Sequence, residues 1–109
     1  KKISLVEAIS SKRGGALWLG EHHNSVPDHR IQAELIRSIH DRRKDRHKSN
    51  TPPMAIGLEQ IQIQYQSVLD EFVAGRISEA EMLKGVDWEK RWSWSYDGYR
   101  PIFDLAREY

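Results

Sequence analysis

Cysteine is missing altogether from these 109 residues, which removes disulfides and thiolate metal sites but leaves the compartment open. Long hydrophobic runs are missing too. None approaches the roughly 20 apolar residues that span a bilayer, and these residues hold no signal-like hydrophobic segment. Neither sign of charge is in excess: 17 Lys and Arg face 16 Asp and Glu. A net charge of +1 creates no global field that would draw the chain to nucleic acid or to an acidic membrane surface. Internal repeats and low-complexity tracts are absent. What remains is an ordinary globular mixture, with enough apolar residues for one domain and a modest core.

Ser4 and Glu7 stand in capping-box spacing ahead of Gly14-Gly15, which predicts a short helix. The run ALWLG, Ala16 to Gly20, is apolar without alternation and flanked by glycine, the pattern of a strand covered on both faces. Ser25 and Asp28 form a capping pair with Pro27 in the first turn. Ile31, Leu35, Ile36 and Ile39 then mark one side of a helix running to about Arg46. Its basic end, His40 to Lys48, suits the negative pole of the helix dipole and reads as a solvated surface. MAIGLE, Met54 to Glu59, predicts a second buried strand. Tyr65, Val68, Leu69, Phe72 and Val73 predict a helix ending at Gly75, and Ser78 with Glu81 caps another up to Gly85. Pro101 opens a last helix with Ile102, Leu105, Ala106 and Tyr109 on one face. This order predicts an α/β fold, a βαβ parallel-sheet core with flanking helices. Two strands are too few for a stable parallel sheet. Residues 1–109 are therefore expected to be a single, incomplete domain, the N-terminal part of a larger one or a chain completed by partners.

Both expected strands end on glycine and then glutamate, Gly20-Glu21 and Gly57-Leu58-Glu59. Parallel neighbours bring their carboxyl ends to one edge, where open α/β sheets bind ligands. Glu21, His22, His23 and Glu59 would meet there, with Gln60 behind. Such carboxylates and imidazoles can hold a divalent metal or act as base and acid on a substrate. The free N–H groups of the helix after Ser25 would favour an anionic group at the same crevice. The ligand spacing of a zinc helix is lacking.

A second distinctive stretch is DWEKRWSWSYDGYRP, Asp87 to Pro101. It can be a packed connection in which Trp88 and Trp92 form core and Tyr99 anchors the last helix. The other reading is a flat platform for a planar ligand, with Arg91 and Arg100 to pair carboxylates and a tyrosinate as axial oxygen ligand to iron.

Three blocks, LGEHHNSVPDH, GLEQIQIQYQSVLDEFVAGRIS and WEKRWSWSYDGYRPIFDLARE, together resemble the ChaN-like haem-binding proteins, in the right order and over most of the chain. The first resembles that family's G-E-x-H-x-x-x-x-x-H opening, which Glu21, His23 and His29 match; Glu59 matches the G-x-E of the second block, and His22 falls in a variable slot. The resemblance implies haem, or a related tetrapyrrole, held at a homodimer interface with tyrosine as ligand. Tyr99 is the first choice for that ligand and Tyr96 the second, with Trp92, Trp94, Arg100 and His29 lining the cofactor. It further implies iron or haem handling by surface lipoproteins, hence membrane association at a bacterial envelope, or in a plastid for a photosynthetic source. Distant relatives are the erythromycin esterases and the TIKI/TraB metalloprotease-like proteins. They imply the alternative of a metal-dependent hydrolase, with Glu21, His23 and Glu59 as catalytic residues and as ligands of a divalent metal. Asn24 and Asp28 depart from the family's acid and histidine pair at those places. A third alternative is a non-catalytic structural subunit of an organellar or membrane assembly.

Overall fold

The computed structural model describes residues 15–109; the helix expected from Ser4 lies outside them. The described residues are helical over 62% of their length and contain no strand. The expected α/β fold with a βαβ parallel-sheet core is therefore corrected to an arrangement of helices. In chain order these are α1 (Val26–His47), α2 (Gln66–Val73), α3 (Glu79–Gly85), α4 (Trp88–Arg91) and α5 (Arg100–Glu108), with single 3-10 turns at Lys48–Asn50, Ile63–Tyr65 and Tyr96–Gly98.

The helix boundaries follow from local chemistry. The Ser25 hydroxyl accepts the Asp28 N–H at 3.3 Å, and Pro27 sits in the first turn of α1. At α3 the capping box closes in both directions: Glu81 N–H donates to Ser78 Oγ at 3.1 Å, and Ser78 N–H to Glu81 Oε1 at 3.2 Å. Gly75, at φ +75°, lets the chain turn away after α2. Tyr99 caps α5, its carbonyl accepting from Ile102 N–H at 2.9 Å.

Neither apolar run becomes a strand, for different reasons. Ala16 to Gly20 is almost wholly exposed, Trp18 to 93%. The carbonyls of Leu19 and Gly20, which a ladder would have used, accept instead from Gln32 Nε2 at 2.9 and 3.3 Å. In Met54 to Glu59, burial alternates: Met54, Ile56 and Leu58 are half-buried, whereas Ala55, Gly57 and Glu59 are exposed. The segment has the period of a strand with one covered face, but no neighbour among the described residues supplies a ladder. An apolar run shows that a segment needs cover; it does not show that the cover is another strand.

Two apolar clusters hold the helices. The larger joins Phe72, Met82, Val86, Trp88, Tyr96, Tyr99 and Phe103; the smaller joins Ala33, Ile102 and Leu105. Helix α5 contributes to both, and Leu58 packs against both. The buried side of α1 carries His29, Gln32, Ala33 and Ile39; of the expected line Ile31, Leu35, Ile36 and Ile39, Ile39 is buried and Ile36 packs against the smaller cluster, whereas Ile31 is 55% exposed. The inward face is displaced because His29 and Gln32, although polar, find partners inside.

Candidate functional site

The site begins with Glu21, at the end of the Gln32-held segment. Its side chain is 7% exposed. Burying a carboxylate is costly without partners, and three side chains converge on it. Gln60 Nε2 donates to Glu21 Oε1 at 2.8 Å. His29 Nδ1, from the first turn of α1, meets Oε2, and His23 Nδ1 lies 3.5 Å from Oε1.

The backbone carbonyl of His23 ties the group together. It accepts from His29 Nε2 at 3.1 Å and from the Tyr99 hydroxyl at 3.2 Å. A carbonyl can only accept, so His29 Nε2 carries a hydrogen. His29 Nδ1 then faces Glu21 Oε2 across the same ring. Tyr99 also receives the Trp92 indole N–H at 3.3 Å, and its ring lies 4.0 Å from that of His29. Close by, a Cβ on Gly98 would sit 3.0 Å from His29 Cδ2, so a side chain there would press the imidazole aside by a few tenths of an ångström.

The tyrosines are inside. Tyr99 is 1% exposed and Tyr96 6%. Burial, reinforced by the nearby Glu21 charge, raises the Tyr99 phenol above its ordinary range. Burial also pushes the Tyr96 phenol well up, and the Glu79 carboxylate that accepts its hydroxyl at 3.1 Å adds to this. Arg100 is already engaged, with Glu79 at 3.1 Å and Asp97 at 2.9 Å.

Residues 8–109 match the family model described as haem-binding uptake, Tiki superfamily, ChaN. The chain belongs to that family. No curated protein and no solved structure matches it.

In this ChaN-family chain the residues singled out in the sequence divide into two groups. Glu21, His23, His29, Tyr99 and Trp92 are brought into one connected cluster. Glu59 is not: it falls on the exposed parity of its segment, and its neighbour Gln60 reaches Glu21. His22 is also outside, exposed and bonded through Nδ1 to Asp28 at 3.0 Å. Tyr96 and Arg100 belong to a separate corner around Glu79. Among the described residues, no group of three or more His, Cys, Asp or Glu side chains is placed to hold a metal ion. The divalent metal expected on Glu21, His23 and Glu59 therefore gains no support. Gln32, whose amide positions the segment leading to Glu21, escapes sequence reasoning; its only signal is a polar residue at helical spacing from His29.

His23 and Trp94 form the accessible rim. The His23 side chain is 39% exposed, with its ring edge-on to Trp92 at 4.8 Å and 6.4 Å from Trp94. Trp94 is 41% exposed, and its carbonyl accepts the Trp88 indole N–H at 3.0 Å. On the other side of the segment, Trp18, Leu19, Gly20, Asp28, Ile31, Gln32 and Leu35 line an open groove of about 200 Å³, below the roughly 300–1,000 Å³ of an enclosing ligand pocket. No helix among the described residues is long and apolar enough to cross a membrane.

Proposed function

We propose that this chain is a haem-binding module that takes its ligand against the rim of His23, Trp92 and Trp94. The observation that carries the proposal is a half-exposed imidazole fixed between two indoles, in a chain whose family is described by haem-binding uptake. The donor set suits the cofactor. An imidazole is a common axial ligand, and flat indole faces suit a planar macrocycle. Bound haem supplies an iron centre; the protein supplies an apolar wall and a nitrogen donor. An open rim covers one face of a planar ligand only, so the second face falls to another copy of the chain, in keeping with the homodimer that the resemblance implies. Iron or haem handling near a bacterial envelope or plastid membrane is the setting this reading favours. Arg100, engaged by Glu79 and Asp97, would have to exchange partners to meet a propionate.

Titrating the protein with hemin tests this. A saturable Soret shift with one equivalence point, weakened in Trp94→Ala, is the expected result. Absorbance that rises without saturation and is indifferent to Trp94→Ala would sink the idea.

The hydrolytic alternative is less well served, since Glu59 stands exposed outside the cluster.

A further inference from the structure

We propose that Arg91 is the group that pairs the ligand's carboxylate, so that the tryptophan rim selects tetrapyrroles with free propionate side chains over their esters. This rests on the haem-binding reading and deepens it by naming the carboxylate partner and the chemical class of ligand it admits.

The stretch from Asp87 to Pro101 carries two arginines, and the structure separates them. Arg100 is spent: its guanidinium reaches Glu79 at 3.1 Å and Asp97 at 2.9 Å. Arg91 is exposed and has no carboxylate partner among the described residues. Its guanidinium lies 5.9 Å from the centre of the Tyr65 ring. An aromatic face holds a guanidinium without consuming its N–H groups, which leaves the planar fork free for a bidentate carboxylate.

The position of Arg91 ties it to the rim. It is the last residue of α4, and the next residue is Trp92, which leaves the helix in extended backbone. Trp92 is fixed at both ends. Its N–H donates to the Trp88 carbonyl at 2.8 Å, and its indole N–H to the Tyr99 hydroxyl at 3.3 Å. Its ring meets His23 edge-on at 4.8 Å. The chain that presents one wall of the rim therefore also presents the free cation, on a backbone that is already set. Tyr65 closes the same side. It packs with Trp92 against the larger apolar cluster, on a segment that begins at Gln60, where the amide reaches Glu21. A flat apolar wall with an unpaired guanidinium at its edge suits a planar ligand that is apolar in the middle and anionic at its margin.

The test compares hemin with hemin dimethyl ester, whose propionates are uncharged, by absorbance titration of the full chain in one detergent-containing buffer. Wild type should bind hemin about three- to tenfold more tightly than the ester at low salt, the scale of a partly exposed charge-assisted pair. Added salt should shrink that preference. In Arg91→Gln the two ligands should bind alike, with affinity for the ester unchanged from wild type. Arg91→Lys keeps the charge but not the fork, and should retain only part of the preference. Lys90→Gln removes a neighbouring charge of the same sign and should retain all of it. Wild type that binds the ester as tightly as hemin overturns the assignment and leaves haem binding standing. So does a preference that survives Arg91→Gln, or one lost equally in Lys90→Gln. If Arg91→Gln weakens both ligands by the same factor, Arg91 only braces Tyr65, and the assignment fails. If wild type takes up neither ligand, the haem-binding reading falls, and this assignment with it.

Discussion

At the scale of single residues, the cluster depends on a buried carboxylate that is tolerated only because His29 and Gln60 meet it. Removing one member of a buried charged pair strands the other, at about 3–5 kcal/mol, whereas removing both is far milder. His29→Ala is therefore expected to destabilise the chain by about 3–5 kcal/mol, and Glu21→Gln combined with His29→Ala by clearly less than the sum of the two single changes. Urea unfolding of the four proteins in a double-mutant cycle measures this; strict additivity would mean that the pair is not coupled. The tyrosines give a second prediction. Tyr96 and Tyr99 have phenol pKa values raised above the ordinary 10.0. A raised folded value means that the native state holds those protons more tightly than the unfolded one. Their contribution to stability is thus complete below pH 10 and is lost as pH climbs through the folded values. Ultraviolet titration should show these phenols ionising only with cooperative unfolding on the alkaline side, and Tyr96→Phe should widen the alkaline range. Glu21 and His23 could be picked out in the sequence because ionisable groups crowded beside an apolar run are conspicuous, and His29 through the family resemblance. Glu59 looked equally good and was misplaced, because a one-residue change of parity turns a side chain from inside to outside, and parity is set by what covers the segment.

At the scale of elements, the chemistry of the caps was legible where the sheet was not. Ser25–Asp28 and Ser78–Glu81 both close as their spacing predicts, because capping is decided within four residues. A ladder needs a partner from elsewhere, which no local pattern in Ala16–Gly20 or Met54–Glu59 can supply. The N-terminal part of the α1 face was misread for a related reason. Ile36 and Ile39 do face inward, but Ile31 does not, because the first turns of the helix turn His29 and Gln32 inward, where Glu21, His23 and the Leu19 carbonyl await them. Helix α3 offers the cleanest check of the local argument. Its Ser78 is exposed and its box is reciprocal, so Ser78→Ala should cost about 0.5–2 kcal/mol. Thermal unfolding monitored by circular dichroism would register it, and haem uptake should be untouched, since Ser78 lies outside the rim. An effect on hemin affinity without a change in stability would mean that α3 takes part in binding after all.

At the scale of the whole molecule, α5 is the element that makes two clusters into one structure. Phe103 faces the aromatic core, with its ring 5.1 Å from Tyr96 and 6.1 Å from Trp88, while Ile102 and Leu105 close the smaller cluster against Ala33 of α1. The end of the chain is fastened to α1 as well: Tyr109 stacks on His40 at 3.5 Å, and Arg37 reaches Glu108 at 3.2 Å. The exposed Arg37–Glu108 pair adds little by itself, so the coupling rests on apolar packing. Two substitutions separate the consequences. Phe103→Ala removes a 1%-exposed ring from the core that supports Tyr99 and is expected to cost about 3–5 kcal/mol. Leu105→Ala, in the smaller cluster, is expected to cost about 2–5 kcal/mol. If α5 couples the clusters, hydrogen exchange should show α1 amides losing protection in Phe103→Ala and α2 amides losing it in Leu105→Ala, each far from the substituted side chain. Exchange that accelerates only beside the substitution would mean two independent units, and the Tyr99 clamp on His23 would then depend on the aromatic cluster alone.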